Sequence, residues 1–103
     1  MPIVVQNLYF VRAGQERQAL DTRRAASRVR AGAGRPVGRI LVRLDATATG
    51  PAFIWECDYP DLAAREADMA WADGSAAFRA VQERMGGLLD RFERVVFQVD
   101  DDG

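Results

Sequence analysis

Two of the residue types that most often carry chemistry are nearly missing from this sequence. Its 103 residues include no histidine and one cysteine. Without His there is no ordinary proton shuttle, no Ser-His-Asp or Cys-His nucleophile pair, and no His-ligated zinc or haem. A single Cys excludes an internal disulfide and any multi-cysteine metal site. Gly32-x-Gly34 offers no phosphate loop, since it would follow a helix rather than a strand and runs into Arg35-Pro36. The expectation is a protein without metal, haem or flavin. What remains is a set of aromatic rings, one well-placed amide, and arginine–carboxylate combinations.

Trp55, Tyr59 and Trp71 are the candidates for holding a substrate, because aromatic walls suit flat apolar molecules. The competing reading is plain core packing, and Trp71 sits close to a helix break at Asp73-Gly74. Asn7 and Tyr9 alternate with Val5 and Val11 on one face of a predicted strand. A buried amide and phenol there can polarise a substrate carbonyl or hold oxygen, which makes them the candidate catalytic pair. The ordinary alternative is that they satisfy neighbouring backbone groups.

The charged residues favour structure over chemistry. Arg39, Arg43, Glu56 and Asp58 could form an anion site or an acid/base pair. Cross-strand salt bridges at an interface explain all four without a ligand. Arg17, Arg23, Arg24, Arg28 and Arg30 crowd one predicted helix, and Asp21 lies within one turn of two of them, so a solvated face is expected. Cys57 has no base to make its thiolate and reads as a buried structural thiol.

These residues need elements to position them. Residues 3 to 12 are β-branched and aromatic, a strand ended by Gly14. From Gln15 to about Arg30 the chain is helix-forming, with Ala19, Ala26 and Val29 inward where Leu or Ile would be usual. Val37 to Asp45 alternates as a half-buried strand, Ala46 to Pro51 reads as a turn, and Ala52 to Tyr59 is a third strand. Asp61 caps a helix running to Ala72. After Asp73-Gly74-Ser75 a second helix runs to about Arg91, on a stripe of Phe78, Val81, Met85, Leu88 and Phe92 that would hold Gly86-Gly87 inside it. Arg94 to Val99 is the last strand, before an acidic tail.

The order β-α-β-β-α-α-β predicts a single α+β ferredoxin-like domain over residues 1–103: a four-stranded antiparallel sheet with all helices on one face. A hairpin of the two central strands would set Leu44 opposite Phe53, Val42 opposite Trp55, Ile40 opposite Cys57 and Arg39 opposite Asp58. One sheet face is then apolar and suits the helices. The other mixes Arg39, Leu41, Arg43, Ile54, Glu56 and Asp58, which suits an interface better than open water.

The stretch from Phe53 through Trp55-Glu56-Cys57-Asp58-Tyr59-Pro60-Asp61-Leu62 to Glu66 resembles the dimeric α+β barrel superfamily, specifically its NIPSNAP-type and antibiotic-biosynthesis-monooxygenase-like members. There a strand ending in an acidic–aromatic pair runs into a Ser/Asp-Leu-Ala-x-x-Glu helix start, and a later helix carries an aromatic, here Phe78. The resemblance implies a homodimer whose two sheets close a barrel. It also implies a ligand cleft between helices and sheet. Members that handle haem, or that cyclise polyketides with a His acid or base, depend on a residue absent here.

Composition narrows the partners. All 14 cationic residues are Arg, and the net charge is −1. That balance does not suit a sequence-independent nucleic-acid binder. No run approaches the roughly 20 apolar residues of a membrane span, and Met1-Pro2-Ile3 begins without a basic leader, so a cytoplasmic protein is expected. The leading expectation is a homodimer that binds a small aromatic or apolar metabolite. The alternatives are a cofactor-independent monooxygenase acting on phenolic or polyketide-like substrates, and a structural dimer with no pocket.

Overall fold

A computed structural model describes residues 1–45 and 49–103. The elements are β1 (Ile3–Val11), α1 (Glu16–Gly32), β2 (Arg39–Val42), β3 (Phe53–Tyr59), α2 (Leu62–Gly74), α3 (Ala76–Gly86) and β4 (Leu89–Gln98). The strands form one sheet in the order β2-β3-β1-β4, with every neighbouring pair antiparallel. This is the ferredoxin-like α+β arrangement expected from the element order. Alternation along the strands sends Ile3, Val5, Asn7 and Tyr9 of β1, and Phe53, Trp55, Cys57 and Tyr59 of β3, to the helix side, where all eight are buried. Part of the turn expected at Ala46–Pro51 (Ala46 to Ala48) lies outside the described residues.

The helix starts follow from their caps. The Asp61 carboxylate accepts from the Ala64 N–H at 2.8 Å and starts α2, while the Ser75 hydroxyl accepts from the Phe78 N–H at 3.1 Å and starts α3. The Asp73-Gly74-Ser75 break therefore falls where expected.

The end of α3 does not. The helix stops at Gly86, Gly87 caps it, and β4 begins at Leu89. Leu88 and Phe92 leave the proposed stripe. Two successive glycines favour stopping over continuing, and Phe92, Arg94, Val96 and Gln98 alternate as one side of a strand, where Phe92 pairs with Tyr9.

The β2–β3 register also differs, by two residues. Arg39 faces Glu56, Ile40 faces Trp55 and Val42 faces Phe53. A shift of two preserves the side each residue points to, so the division of faces survives. The Trp55 indole N–H donates to the Val37 carbonyl at 2.7 Å, which pins the strand entry. Gly38 makes this approach possible: its φ is +66°, and a Cβ there would lie 2.6 Å from the Glu56 carbonyl oxygen and 2.7 Å from Trp55 Nε1. With the register moved, Arg39 binds Glu56 instead of facing Asp58, Arg43 turns to Asp45 at 2.6 Å, and Asp58 is exposed.

One carboxylate joins the helix layer to the sheet. Asp68 of α2 is 1% exposed. Its Oδ2 accepts from Arg30 Nη1 of α1 at 2.8 Å and from the Tyr59 hydroxyl of β3, and its Oδ1 accepts from Arg35 Nε at 3.1 Å. Arg30 Nη1 also donates to the Pro36 carbonyl at 3.1 Å. Burial alone would push the Asp68 carboxyl up. The hydrogen bonds from Tyr59, Arg30 and Arg35, with the charge of Arg30, outweigh it and hold the carboxyl below its ordinary range.

A carboxylate whose folded pKa is depressed stabilises the fold above its unfolded value, about 3.9 for Asp, and that contribution is lost as pH falls through the folded value. Asp68→Asn strands two arginines and should cost about 3–5 kcal/mol in urea unfolding at pH 7. The gap between variant and parent should narrow steadily below about pH 4; a gap independent of pH would show that Asp68 is not ionised in the fold. Gly38→Ala should lose about 1–3 kcal/mol, because the left-handed backbone and the contacts on Glu56 and Trp55 must all give way. Loss of the Trp55–Val37 bond would appear as a red shift in tryptophan emission; unchanged stability and emission would mean that the strand entry relaxes freely.

Candidate functional site

Between the helices and the sheet lies a cleft of about 300 Å³. Its floor comes from rows of the sheet that the register sets side by side: Trp55, Asn7 and Arg94 across β3, β1 and β4, and then Tyr9 and Phe92 across β1 and β4. Tyr9 stacks on Phe53 with ring centroids 4.9 Å apart and meets Phe92 edge-on at 5.4 Å. Over this floor α1 contributes Arg23, Ala26 and Arg30, and α3 contributes Phe78, Val81 and Met85. Phe92 and Val96, on the helix side of β4, stay 41% and 42% exposed, so the floor continues outward past the helix layer.

Four of the five aromatic and polar candidates come together here. Asn7, Tyr9, Trp55 and Tyr59 line the cleft. Trp71 does not. It packs on Phe78 at 5.2 Å in a second cluster with Ala26, Ala72 and Val81, and is half-buried. Asn7 is 7% exposed, and its Oδ1 accepts from Arg94 Nε at 2.9 Å. That bond fixes the amide's orientation and leaves its NH2 as a donor. The Tyr59 hydroxyl is committed to Asp68, and burial with that hydrogen bond raises its pKa far above the ordinary phenol value, so it stays protonated. Cys57 is 2% exposed, and burial pushes its thiol up. An inert structural thiol fits both facts.

Two residues placed on a solvated helix face are instead buried. Arg23 and Arg30 are 4% and 5% exposed. With Ala19 and Ala26 they form the inward stripe of α1, while Val29 lies half-buried at its flank and Arg17, Arg24 and Arg28 are exposed. The Ala residues give the room: long arginine stems lie where Leu or Ile would otherwise fill the layer. Both guanidiniums sit over the Trp55 ring, Arg23 at 4.7 Å and Arg30 at 4.6 Å from its centroid. The signal was present as i, i+4, i+7, i+11 spacing from Ala19, but charge masked it.

The two arginines differ in their partners. Arg30 has Asp68. Arg23 has no carboxylate, and its Nε and Nη2 are buried without any hydrogen-bond partner among the described residues. Burial draws the Arg23 pKa down, and Tyr9 opposes that shift. No group of His, Cys, Asp and Glu among the described residues could hold a metal ion. The arrangement can therefore bind a flat molecule, donate hydrogen bonds to it and present positive charge.

No protein-family model matches the chain, and no curated protein matches it. Solved structures do. A NIPSNAP family protein from Agrobacterium tumefaciens superposes with a TM-score of 0.76 at 17% identity, over 98% of this chain and 95% of that one. A protein named for antibiotic biosynthesis monooxygenases, from Nitrosomonas europaea, superposes at 0.68 with 13% identity over 95% and 89% of the two chains. A dimeric ferredoxin-like protein of unknown function from Thermobifida fusca superposes at 0.70 with 17% identity over 96% and 92%. The chain thus has the ferredoxin-like fold shared by NIPSNAP family proteins and antibiotic-biosynthesis-monooxygenase-like proteins.

Proposed function

We propose that this protein is a homodimeric small-molecule-binding protein whose helix–sheet cleft takes an aromatic or apolar metabolite. The observation that carries the reading is the 300 Å³ cleft itself, with aromatic walls and convergent donors at its floor. Burying about 150–200 Å² of apolar ligand at about 25 cal/mol/Å² contributes roughly 4–5 kcal/mol before ordering costs. That alone corresponds to about millimolar binding, so polar contacts must supply the rest. The free NH2 of Asn7 is suited to a ligand carbonyl.

The dimer rests on the opposite face of the sheet. Val4, Leu8 and Phe10 of β1, Ile54 of β3, and Val95 and Phe97 of β4 point away from the helices, Phe97 being 47% exposed. Across them runs one satisfied polar row: Gln6 Nε2 donates to Glu56 Oε1 at 2.8 Å, and Arg39 Nε to Glu56 Oε2 at 2.7 Å. Hydrogen bonds from Gln6 and Arg39 hold the Glu56 carboxyl below its usual range. A broad apolar face with its polar groups already paired suits a self-complementary contact, and the Thermobifida fusca neighbour is described as dimeric.

A second reading, a cofactor-independent monooxygenase acting on phenolic or polyketide-like substrates, draws on one observation. Asn7 and Tyr9 both face the cleft, and the amide is held with its donor free. Oxygen uptake with such substrates, lost in Asn7→Leu, would favour it; no uptake across the panel would exclude it.

The binding reading is checked with Trp71→Phe, which leaves Trp55 as the sole tryptophan reporter. Naphthalene and 2-acetylnaphthalene should both change its emission. Asn7→Leu should weaken the ketone by about fivefold to tenfold, the worth of one hydrogen bond of about 1 kcal/mol or slightly more, and leave naphthalene almost unaffected. Silence from both probes would mean the cleft takes no apolar guest. In sedimentation velocity at micromolar concentration the parent should run as a dimer and Phe97→Arg as a folded monomer; a monomeric parent would sink the interface.

A further inference from the structure

Arg23 poses a problem that the closed fold does not solve. It is 4% exposed, in a layer where the buried ions Arg30 and Asp68 pair with each other, and its own Nε and Nη2 find no acceptor. A buried guanidinium with unmade hydrogen bonds is strongly destabilising unless something pairs with it. Leu or Met at this position would pack the same stripe without that cost. The neighbouring Arg30 is paired by Asp68, so α1 can bury an arginine with a partner when structure alone requires it.

The two orphan atoms have a shared geometry. Nε–H and the adjacent Nη2–H lie on one edge of the planar guanidinium, and that edge is the fork matched to the two oxygens of a carboxylate. The group also has an aromatic neighbour, with Cζ 4.7 Å from the centroid of the Trp55 ring. The cation–π contact engages the guanidinium's charge and supplies no acceptor to its N–H groups. Arg23 lines the cleft with Asn7, Tyr9 and Arg94, and Arg94 also lacks a carboxylate partner among the described residues, bonding only to the neutral Asn7 amide. The carboxylates nearest this part of the fold are accounted for or remote in role: Asp68 is consumed by Arg30, Arg35 and Tyr59, and Asp73 is an exposed rim residue. The cleft thus carries positive charge from Arg23 within to Arg94 at the rim and has donors in excess.

We infer that the ligand of the cleft is an acid: a flat aromatic or apolar molecule bearing one carboxylate, whose oxygens pair with the Arg23 guanidinium while its ring lies against Tyr9, Phe92 and Phe78. This rests on the small-molecule-binding reading and narrows it to a substrate class. The carboxylate supplies the acceptors that the protein lacks, and Arg94 at the rim adds a second positive charge along its path. A neutral molecule of the same shape fills the same walls and leaves the guanidinium unpaired, so the site discriminates by charge more than by size.

The test compares 2-naphthoate with 2-naphthamide, two probes alike in shape and differing in charge, by calorimetry on the full chain at pH 7. The parent should bind 2-naphthoate at least about tenfold more tightly, the scale of a charge-assisted pair over a neutral one. Arg23→Met should bring the two probes within about twofold by weakening only the acid, and should raise thermal stability, since it removes an unpaired buried charge. Should Arg23→Met not fold, Arg23→Gln serves the same comparison. Equal affinities in the parent overturn the acid and leave an apolar pocket standing. No binding of either probe overturns the pocket and the acid together. A preference for 2-naphthoate that survives Arg23→Met, or that vanishes in Arg94→Gln alone, overturns the role of Arg23.

Discussion

The molecule is organised around the carboxylate of Asp68. Few interactions join a helix layer to a sheet as economically, since one side chain of α2 reaches α1 through Arg30, the following loop through Arg35 and β3 through Tyr59. The Asp68 side chain is 2% exposed and that of Arg30 6%, so neither ion is hydrated and each depends on the other. The same contact orients Arg30 above Trp55, and Trp55 in turn fixes the entry to β2 through Val37. Register, helix placement and one cleft wall are consequences of a single buried ion pair and its neighbours.

This arrangement explains why two arginines seven residues apart on α1 have different chemical status. Both rest on the same indole, whose π system attracts cations. Only one of them meets a carboxylate from the protein. The helix layer is correspondingly built of small residues, Ala19 and Ala26 in α1 and Ala72 in α2, which lets the guanidiniums reach the sheet at all. Space and charge at the cleft therefore have one origin, the replacement of bulky apolar side chains by alanine and arginine along one helix face.

Much of the fold was legible because local signals agreed. Asp61 and Ser75 begin helices where their side chains can accept from the third residue on, and strand alternation sorted β1 and β3 into faces without error. The pattern is ambiguous where two periods coexist. Phe92 fits a helical stripe from Phe78 and equally a strand row with Arg94 and Val96; only the pairing with Tyr9, distant in sequence, decides between them. The hydrophobic pattern sets the hairpin register two residues from the observed one, because neither Gly38's left-handed backbone nor the Trp55–Val37 bond is visible in it. At the site, residue type and alternation mark Asn7, Tyr9, Trp55 and Tyr59, whereas Arg23 is masked by its charge, since charge on a helix ordinarily means solvent. Trp71 shows the limit of residue type as a guide: its ring packs with Phe78 away from the cleft.

Cys57 gives the protein a built-in clock. It is the one thiol in the chain, it lies on the helix side of β3, and burial both hides it and keeps it protonated. Alkylation therefore waits for the helix layer to part from the sheet, so the modification rate measures the frequency of that opening, not the reactivity of sulfur. The neighbouring strand residues Trp55 and Tyr59 belong to the cleft wall. Anything that seats in the cleft and holds α1 and α2 down slows the same clock, which makes a single native side chain a reporter of occupancy for ligands that carry no signal of their own.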